Sequence, residues 1–365
     1  DGRCQHPELE KYSPLKPRGH SCLPCQWHLD QLVQNFVQVP DEGAGAVSIM
    51  NILLTGASGF VGKATLAQLQ RLPGTHIRLA LRQPLADFAR EHQHMISGID
   101  ANTSWTSALQ GIDTVVHLAA RVHVMRDTAT DPLAAFRAVN VDGTLALAHQ
   151  AVRMGVQRFV YVSSVKVLGE STAPSSAFTE DSPTDARDPY GISKLEAENG
   201  LKTVAEQTGL EVVILRPPLV YGPGVVANFQ ALMRAVQRGI PLPLGAIHNQ
   251  RSLVAVHNLA SAICLCTHHP QASNQTFLVS DQHDLSTPEL VRAIAKAMGR
   301  PARLLPVPPP LLSVLGKLTG RSAAVQRLCG DLRVDSRKIS QLLGWQPVLT
   351  VQEALDATVS TGAQS

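Results

Sequence analysis

Apolar positions follow two rhythms along this chain. Runs at 52–54, 77–81, 113–118, 157–162 and 211–215 are nearly continuous, without the alternation of a half-wet sheet. Such runs suit strands buried on both faces. Between most of them the period lengthens to that of helices, over 60–71, 132–154 and 190–208. Strands alternating with helices predict βαβ units and therefore a parallel sheet covered on both sides. Past "YGPG" at 221–224 the rhythm loosens into helices 226–238, 257–268, 286–298 and 336–343, with short strands between. The expectation is an α/β fold: a doubly wound parallel sheet over 50–220, a segment near 250–269 returning to it, and a smaller lobe built mainly from 221–365. Ligands of such sheets sit outside the carboxyl ends of the strands. "LLPVPPPLLSVLGKLTG" (304–320) is the most apolar late stretch, and its prolines and lysine predict a buried surface helix. No apolar run approaches the roughly 20 residues of a membrane span.

The first 49 residues lack this periodicity. Cys22-x-x-Cys25-x-x-His28 has possible zinc spacing, with Cys4, His6 and His20 nearby. A structural zinc needs four ligands on an ordered scaffold, so no metal site is expected. Met50 stands directly before the first strand, and 1–49 reads as a disordered extension or a start placed too early, without the pattern of a signal peptide. Six cysteines in 365 residues make no disulfide framework, which predicts a reducing, cytoplasmic setting. Net charge is +3 and no basic stripe interleaves with aromatics, so nucleic acid is not an expected partner.

"NILLTGASGFVGK" holds the first candidate chemistry. Gly56, Gly59 and Gly62 fall between a strand and a helix. Bare backbone allows a tight turn and close approach of a ligand, and the helix start favours an anion. The spacing is GxxGxxG, and a pyrophosphate is the expected occupant, held by Gly56, Ser58, Gly59, Phe60, Val61 and Gly62. The second strand ends at Leu81-Arg82, with no acid until Asp87. An acid there would take a ribose 2′-hydroxyl, whereas Arg82 suits a 2′-phosphate or stacks on adenine. NADP(H) is therefore favoured over NAD(H), and Asp100 is a candidate for the adenine amino group.

"YVSSVKVLGE" sets Ser163 and Ser164 at the end of a buried strand, and "DPYGISKLEAE" sets Tyr190 and Lys194 one helical turn apart. Tyrosine near its ordinary pKa of about 10 is a poor base, and a lysine ammonium one turn away would lower it. A serine hydroxyl could fix the same substrate oxygen while a cofactor moves a hydride. The histidines at 92, 94, 149, 268 and 269 follow no common ligand spacing and are read as structural or solvated.

With these stretches, HLAA (117–120), VNVDGT (139–144), YGISK (190–194), LRPPLVYGPG (215–224) and LGWQP (343–347) carry a resemblance. From about 50 to 360 the chain resembles the extended short-chain dehydrogenase/reductases of the nucleotide-sugar epimerase/dehydratase family. The resemblance implies a Rossmann-type domain and an enzyme. Tyr190 would be the acid/base, Lys194 its partner and ribose ligand, and Ser164 the substrate-orienting hydroxyl. Leu118, Ala119, Ala120 and Pro217 would line the cofactor, and Asn228, Arg251 and Arg327 the substrate nucleotide. Leu168 departs from the usual Tyr, and His257-Asn258 from the usual Val-Asp-Asp. Dehydratases of the family carry an Asp-Glu pair where this chain has Val165 and Lys166, which disfavours that reaction. The chain resembles reductases of a UDP-4-keto-6-deoxy-N-acetylhexosamine used in surface polysaccharides, with a UDP-glucose or UDP-GlcNAc 4-epimerase holding NAD as the alternative. A non-catalytic NADP-sensing module is disfavoured because Tyr190 and Lys194 are both present, and a hydroxysteroid-type reductase because of Arg251. The family's homodimers pair through helices equivalent to 132–154 and 190–208.

Overall fold

The computed structural model describes residues 49–122, 130–320 and 322–362; the cysteine- and histidine-bearing stretch before Ile49 lies outside them. Seven parallel strands form the main sheet: β1 (Met50–Thr55), β2 (Thr75–Leu81), β3 (Gln93–Met95), β4 (Thr114–His117), β5 (Arg158–Val162), β6 (Glu211–Arg216) and β9 (Thr276–Leu278). Their order is 3-2-1-4-5-6-9, so the chain winds outward in both directions from β1 and β4. This is the doubly wound, Rossmann-like arrangement. The remaining strands, β7 (Leu219–Tyr221) and β8 (Leu253–Ala255), pair in parallel beside it.

The continuous apolar runs are explained by where alternate residues go. Ile52, Leu54, Val116, Val160, Val213 and Leu215 point into one core. There they meet Leu69 of helix α1 (Phe60–Leu69) and Leu259 and Ile263 of a later helix, Val256–Cys266. Leu53, Val115, Phe159, Tyr161, Val212 and Ile214 point to the opposite core. That core contains Leu147 and Ala151 of Thr144–Arg153, and Ala197, Leu201 and Val204 of Pro189–Thr208. A strand clad on both faces has no polar side to display, which is why its period of two is silent in the sequence.

The expected helix over 132–154 is divided. An α-helical turn-and-a-half, α2 (Pro132–Arg137), leads into a π-helical segment at Ala138–Gly143 and then α3 (Thr144–Arg153). The wide turn lets Asn140 face inward, and Gly143 leaves no room for a Cβ, which would stand 2.7 Å from Ile99 Cγ2. Helix α4 (Pro189–Thr208) has clear ends: the Asp188 carboxylate caps Gly191 N at 2.6 Å, and Gly209 closes it in the left-handed region at φ 77°. Two turns into α4, Glu198 forms a buried pair with Arg216 at the end of β6, Nη2 to Oε2 at 2.6 Å, both side chains at most 3% exposed.

The later segments include α5 (Ala227–Gln237), α6 (Val256–Cys266), α7 (Thr287–Ala297), α8 (Pro309–Leu318), α9 (Ser322–Cys329), α10 (Arg337–Leu343) and α11 (Val351–Gly362). Helix α8 corrects the expectation of a buried helix. Only Leu312 and Gly316 are buried, whereas Leu311, Val314, Leu315 and Leu318 are exposed. Its inward face is narrow because Gly316 abuts Val325 of α9; a Cβ would lie 2.8 Å from Val325 Cγ2. No described helix is long and apolar enough to cross a membrane.

Removing one member of a buried ion pair strands the other charge, at a cost of about 3–5 kcal/mol. Arg216→Met should therefore lower the unfolding free energy by about that amount in urea titration. The double change Glu198→Met/Arg216→Met should recover most of it.

Candidate active site

The switch between β1 and β4 opens a crevice at the carboxyl ends of the strands, and the glycine turn lies there. Gly56 sits at φ 74°, and a Cβ on it would approach Ala119 N to 2.7 Å, so the turn and the 118–120 loop are in backbone contact. On Gly62 a Cβ would fall 2.0 Å from Gly56 O. Gly59 caps α1 with no side chain on its first-turn amides, and no acid occupies that turn. Ser58 and Gly59 are exposed. Bare amides at a positive helix end, beside an open surface, fit the pyrophosphate of a dinucleotide.

His117, which the sequence reading left without a role, fixes the neighbouring loop. Its Nδ1 meets Thr55 Oγ1 at 2.8 Å and its Nε2 meets Thr144 Oγ1 at 3.1 Å, while Thr55 Oγ1 accepts from Ala119 N at 3.2 Å. Burial and the nearby Lys194 charge push its pKa down to about 3, so the ring stays neutral. Asn140 is a second residue not anticipated. Its amide donates to Ser193 Oγ and Arg121 O, both at 3.0 Å, and its carbonyl accepts from Arg121 N at 2.7 Å. It thereby joins α4 to the chain following β4. The signal for both lay inside quoted motifs, HLAA and VNVDGT, but no periodicity marks a buried polar side chain.

Ser164, Tyr190 and Lys194 line one cavity of about 160 Å³, together with Val61, Leu118, Ala120, Pro217 and Ser163. A larger hollow of about 360 Å³ between α4 and β9 contains none of these groups. Proton-bearing side chains converge in the smaller one. Ser164 lies two residues beyond β5 and caps a short turn, its Oγ accepting from Lys166 N at 3.3 Å. Ser163 Oγ is buried with no hydrogen-bond partner, so two hydroxyls face the cavity where one was expected.

Lys194 is 2% exposed, donates to Val162 O at 2.8 Å and lies 4.5 Å from the Tyr161 ring centre. Burial pushes its pKa down to about 7, against a smaller opposing pull from Glu198. Tyr190 differs from the expectation. Instead of being lowered by Lys194, its phenol is pushed above the ordinary value by burial and then by the Asp188 carboxylate. The lysine nitrogen is turned to the Val162 carbonyl, 5.9 Å from the Tyr190 ring centre. Lys166 forms ion pairs with Asp188 and with Glu170, the latter at 3.3 Å.

Other candidate positions are separate. Arg82 is exposed at the end of β2. Asp100 is exposed and uses Oδ1 within its own turn, accepting from Asn102 N at 2.9 Å and Thr103 Oγ1 at 3.1 Å. Asn228 lies exposed in the first turn of α5. Arg251 and Arg327 are neighbours: Arg251 Nη1 donates to Arg327 O and Gly330 O, each at 2.9 Å. Burial pulls the Arg251 pKa down, opposed by the Asp331 carboxylate and aided by the smaller effect of the Arg327 charge. The Arg251 guanidinium is thus tied to main-chain carbonyls, with the Asp331 carboxylate also acting on it. Among the described residues, no group of three His, Cys, Asp or Glu side chains is placed to hold a metal ion.

Residues 52–280, more than half the chain, match the NAD dependent epimerase/dehydratase family. The chain belongs to that family. It is 44% identical over 317 residues to a UDP-glucose 4-epimerase of Vibrio cholerae, covering 86% of this chain and 96% of the relative. It is 28% identical to the N-acetyl-alpha-D-glucosaminyl-diphospho-ditrans,octacis-undecaprenol 4-epimerase of Escherichia coli O157:H7, over 85% of this chain and 94% of that one. Among solved structures it is similar to MoeE5 in complex with UDP-glucose and NAD, at 25% identity and a TM-score of 0.67, over 86% of this chain and 99% of the other. The protein is thus an enzyme of a nucleotide-sugar family that depends on NAD or NADP.

The depressed Lys194 pKa makes a prediction whose sign is fixed. Between about pH 7 and 10.5 the unfolded chain holds a proton that the folded chain releases. Stability therefore rises with pH across that window, by up to about 1.4 kcal/mol per unit. Denaturant midpoints measured from pH 7 to 9 should climb for the native protein, and Lys194→Met should remove that part of the slope.

Proposed function

We propose that this enzyme moves a hydride at C4 of a UDP-hexose or UDP-N-acetylhexosamine, as a 4-epimerase. The observation supporting the reaction most strongly is the similarity, nearly end to end, to the V. cholerae UDP-glucose 4-epimerase. The cavity supports the same chemistry with its own residues. Tyr190 takes the proton from the sugar 4-hydroxyl as the C4 hydrogen leaves with its electron pair, and returns a proton when hydride comes back to the other face of the 4-ketone. Bound nicotinamide supplies the hydride-accepting and hydride-donating carbon. Ser164 positions the sugar oxygen. Lys194, when protonated, favours the ionised phenol and offers a donor to the cofactor ribose. Raising Tyr190 by burial disfavours a resting phenolate, and an oxidised nicotinamide held in the cavity would supply positive charge that favours the ionised phenol.

The remaining assignments follow the same reading. Gly56, Ser58, Gly59, Phe60, Val61 and Gly62 hold the pyrophosphate, while Leu118, Ala119, Ala120 and Pro217 flank the nicotinamide half. Asn228, Arg251 and Arg327 hold the UDP diphosphate, and Asp100 faces the adenine. Dehydration is disfavoured: Lys166 stands where an acid would be needed and pairs with Asp188 and Glu170.

A second reading rests on Arg82. A cation at the end of β2 favours NADP(H), and an exchangeable NADPH suits a 4-ketoreductase acting on a UDP-4-keto-6-deoxy-N-acetylhexosamine. The two readings separate in one assay series with the full chain. An epimerase interconverts UDP-glucose and UDP-galactose, or their N-acetylated forms, without net consumption of reduced cofactor. A reductase consumes one NADPH per 4-keto sugar and leaves UDP-glucose unchanged. In either case Tyr190→Phe should lower kcat by about 10²–10⁴-fold. A smaller loss would remove Tyr190 from the proton-transfer role, and inactivity on every one of these substrates would overturn the UDP-sugar assignment.

A further inference from the structure

Helix α8 presents Leu311, Val314, Leu315 and Leu318 to solvent, 52%, 52%, 47% and 78% exposed. Their spacing of i, i+3, i+4 and i+7 aligns them as one apolar stripe. Leu305, before α8, and Leu328, on α9, are also exposed. The hairpin is held from behind by Leu312 and by Gly316 against Val325, so its outer stripe is not needed for that packing.

The segment of chain that carries this stripe is one-sided in charge. From Leu290 to Gly330 the sequence has five arginines and two lysines but no Asp or Glu, a charge of +7 within a chain of net +3. Lys317 is exposed and, at 100° per residue, flanks the stripe beside Val314. Arg303 is exposed in the same segment. A second copy seated symmetrically on this face would bring the same cationic segment against itself. Nucleic acid would leave the leucines wet. An anionic bilayer satisfies both features: the leucine stripe enters the headgroup boundary while Lys and Arg meet lipid phosphates.

We propose that the α8–α9 hairpin is a peripheral membrane-binding element that docks the enzyme, without crossing, on a bilayer containing anionic phospholipid. This does not rest on the reaction assigned above.

The test is co-sedimentation of the full chain with vesicles of phosphatidylcholine alone or with added phosphatidylglycerol. The native protein should pellet with the anionic vesicles, weakly with neutral ones, and less as salt is raised. Leu315→Asp/Leu318→Asp should weaken partitioning by about tenfold or more. Lys317→Glu, which leaves the leucines in place, should weaken it several-fold for anionic vesicles only. Unfolding midpoints of both variants should match the native protein, and Lys317→Glu carries the test if the double variant misfolds. No binding to either vesicle, or binding unchanged in the folded variants, would overturn the proposal. So would a native dimer by light scattering that the leucine changes convert to monomer without any vesicle binding.

Discussion

The carbonyl of Val162 is the point to which the site is tied. As the last residue of β5 it accepts from Lys194 Nζ, drawing α4 against the end of the strand. Ser163 and Ser164 follow immediately on the strand side, and Tyr190 stands one turn earlier on the helix side. One turn later, Glu198 is clamped to Arg216 at the end of β6. Residues 190, 194 and 198 thus make a single helical face that meets successive strand ends. Serine, tyrosine and lysine converge because this face is fixed at two points, and Asp188 sets where the helix begins.

The glycine-turn side of the crevice is constrained by exclusion rather than attraction. Gly56 meets the Ala119 backbone and Gly62 meets the Gly56 carbonyl at distances that admit no Cβ. These contacts set α1 against β1 and bring the β4 loop to the same crevice. His117, neutral and doubly hydrogen bonded, ties the two strands behind it. A neutral imidazole also spares Lys194 a second buried cation. The lysine is left close to its own titration near neutrality, so its charge responds to whatever charge enters the cavity.

Much of this was legible in the sequence because it depends on local rules. Three glycines after an apolar run, Tyr and Lys four apart, and a Ser pair at a strand end each state a geometric requirement. The doubly covered sheet followed from runs such as Ile52–Leu54, whose two faces enter different cores. What escaped depends on tertiary context. The strand Gln93–Met95 is short, largely polar and at the sheet edge, so it shows no pattern. Asn140 became inward-facing through a π-helical turn that no propensity signals. The direction of the Tyr190 shift required knowing that its phenol is buried and that Lys194 is engaged elsewhere. Helix α8 read as buried because its composition is apolar, yet which face has a neighbour is set by α9.

Hydride transfer at C4 is the claim on which the functional account depends, and the fate of the C4 hydrogen tests it directly. UDP-glucose carrying deuterium at C4 would be incubated with the full chain in ordinary water, and the product examined by NMR and mass spectrometry. The account predicts UDP-galactose with deuterium retained at C4. A product whose C4 hydrogen comes from solvent, or no epimer from either this substrate or C4-deuterated UDP-N-acetylglucosamine, would contradict it.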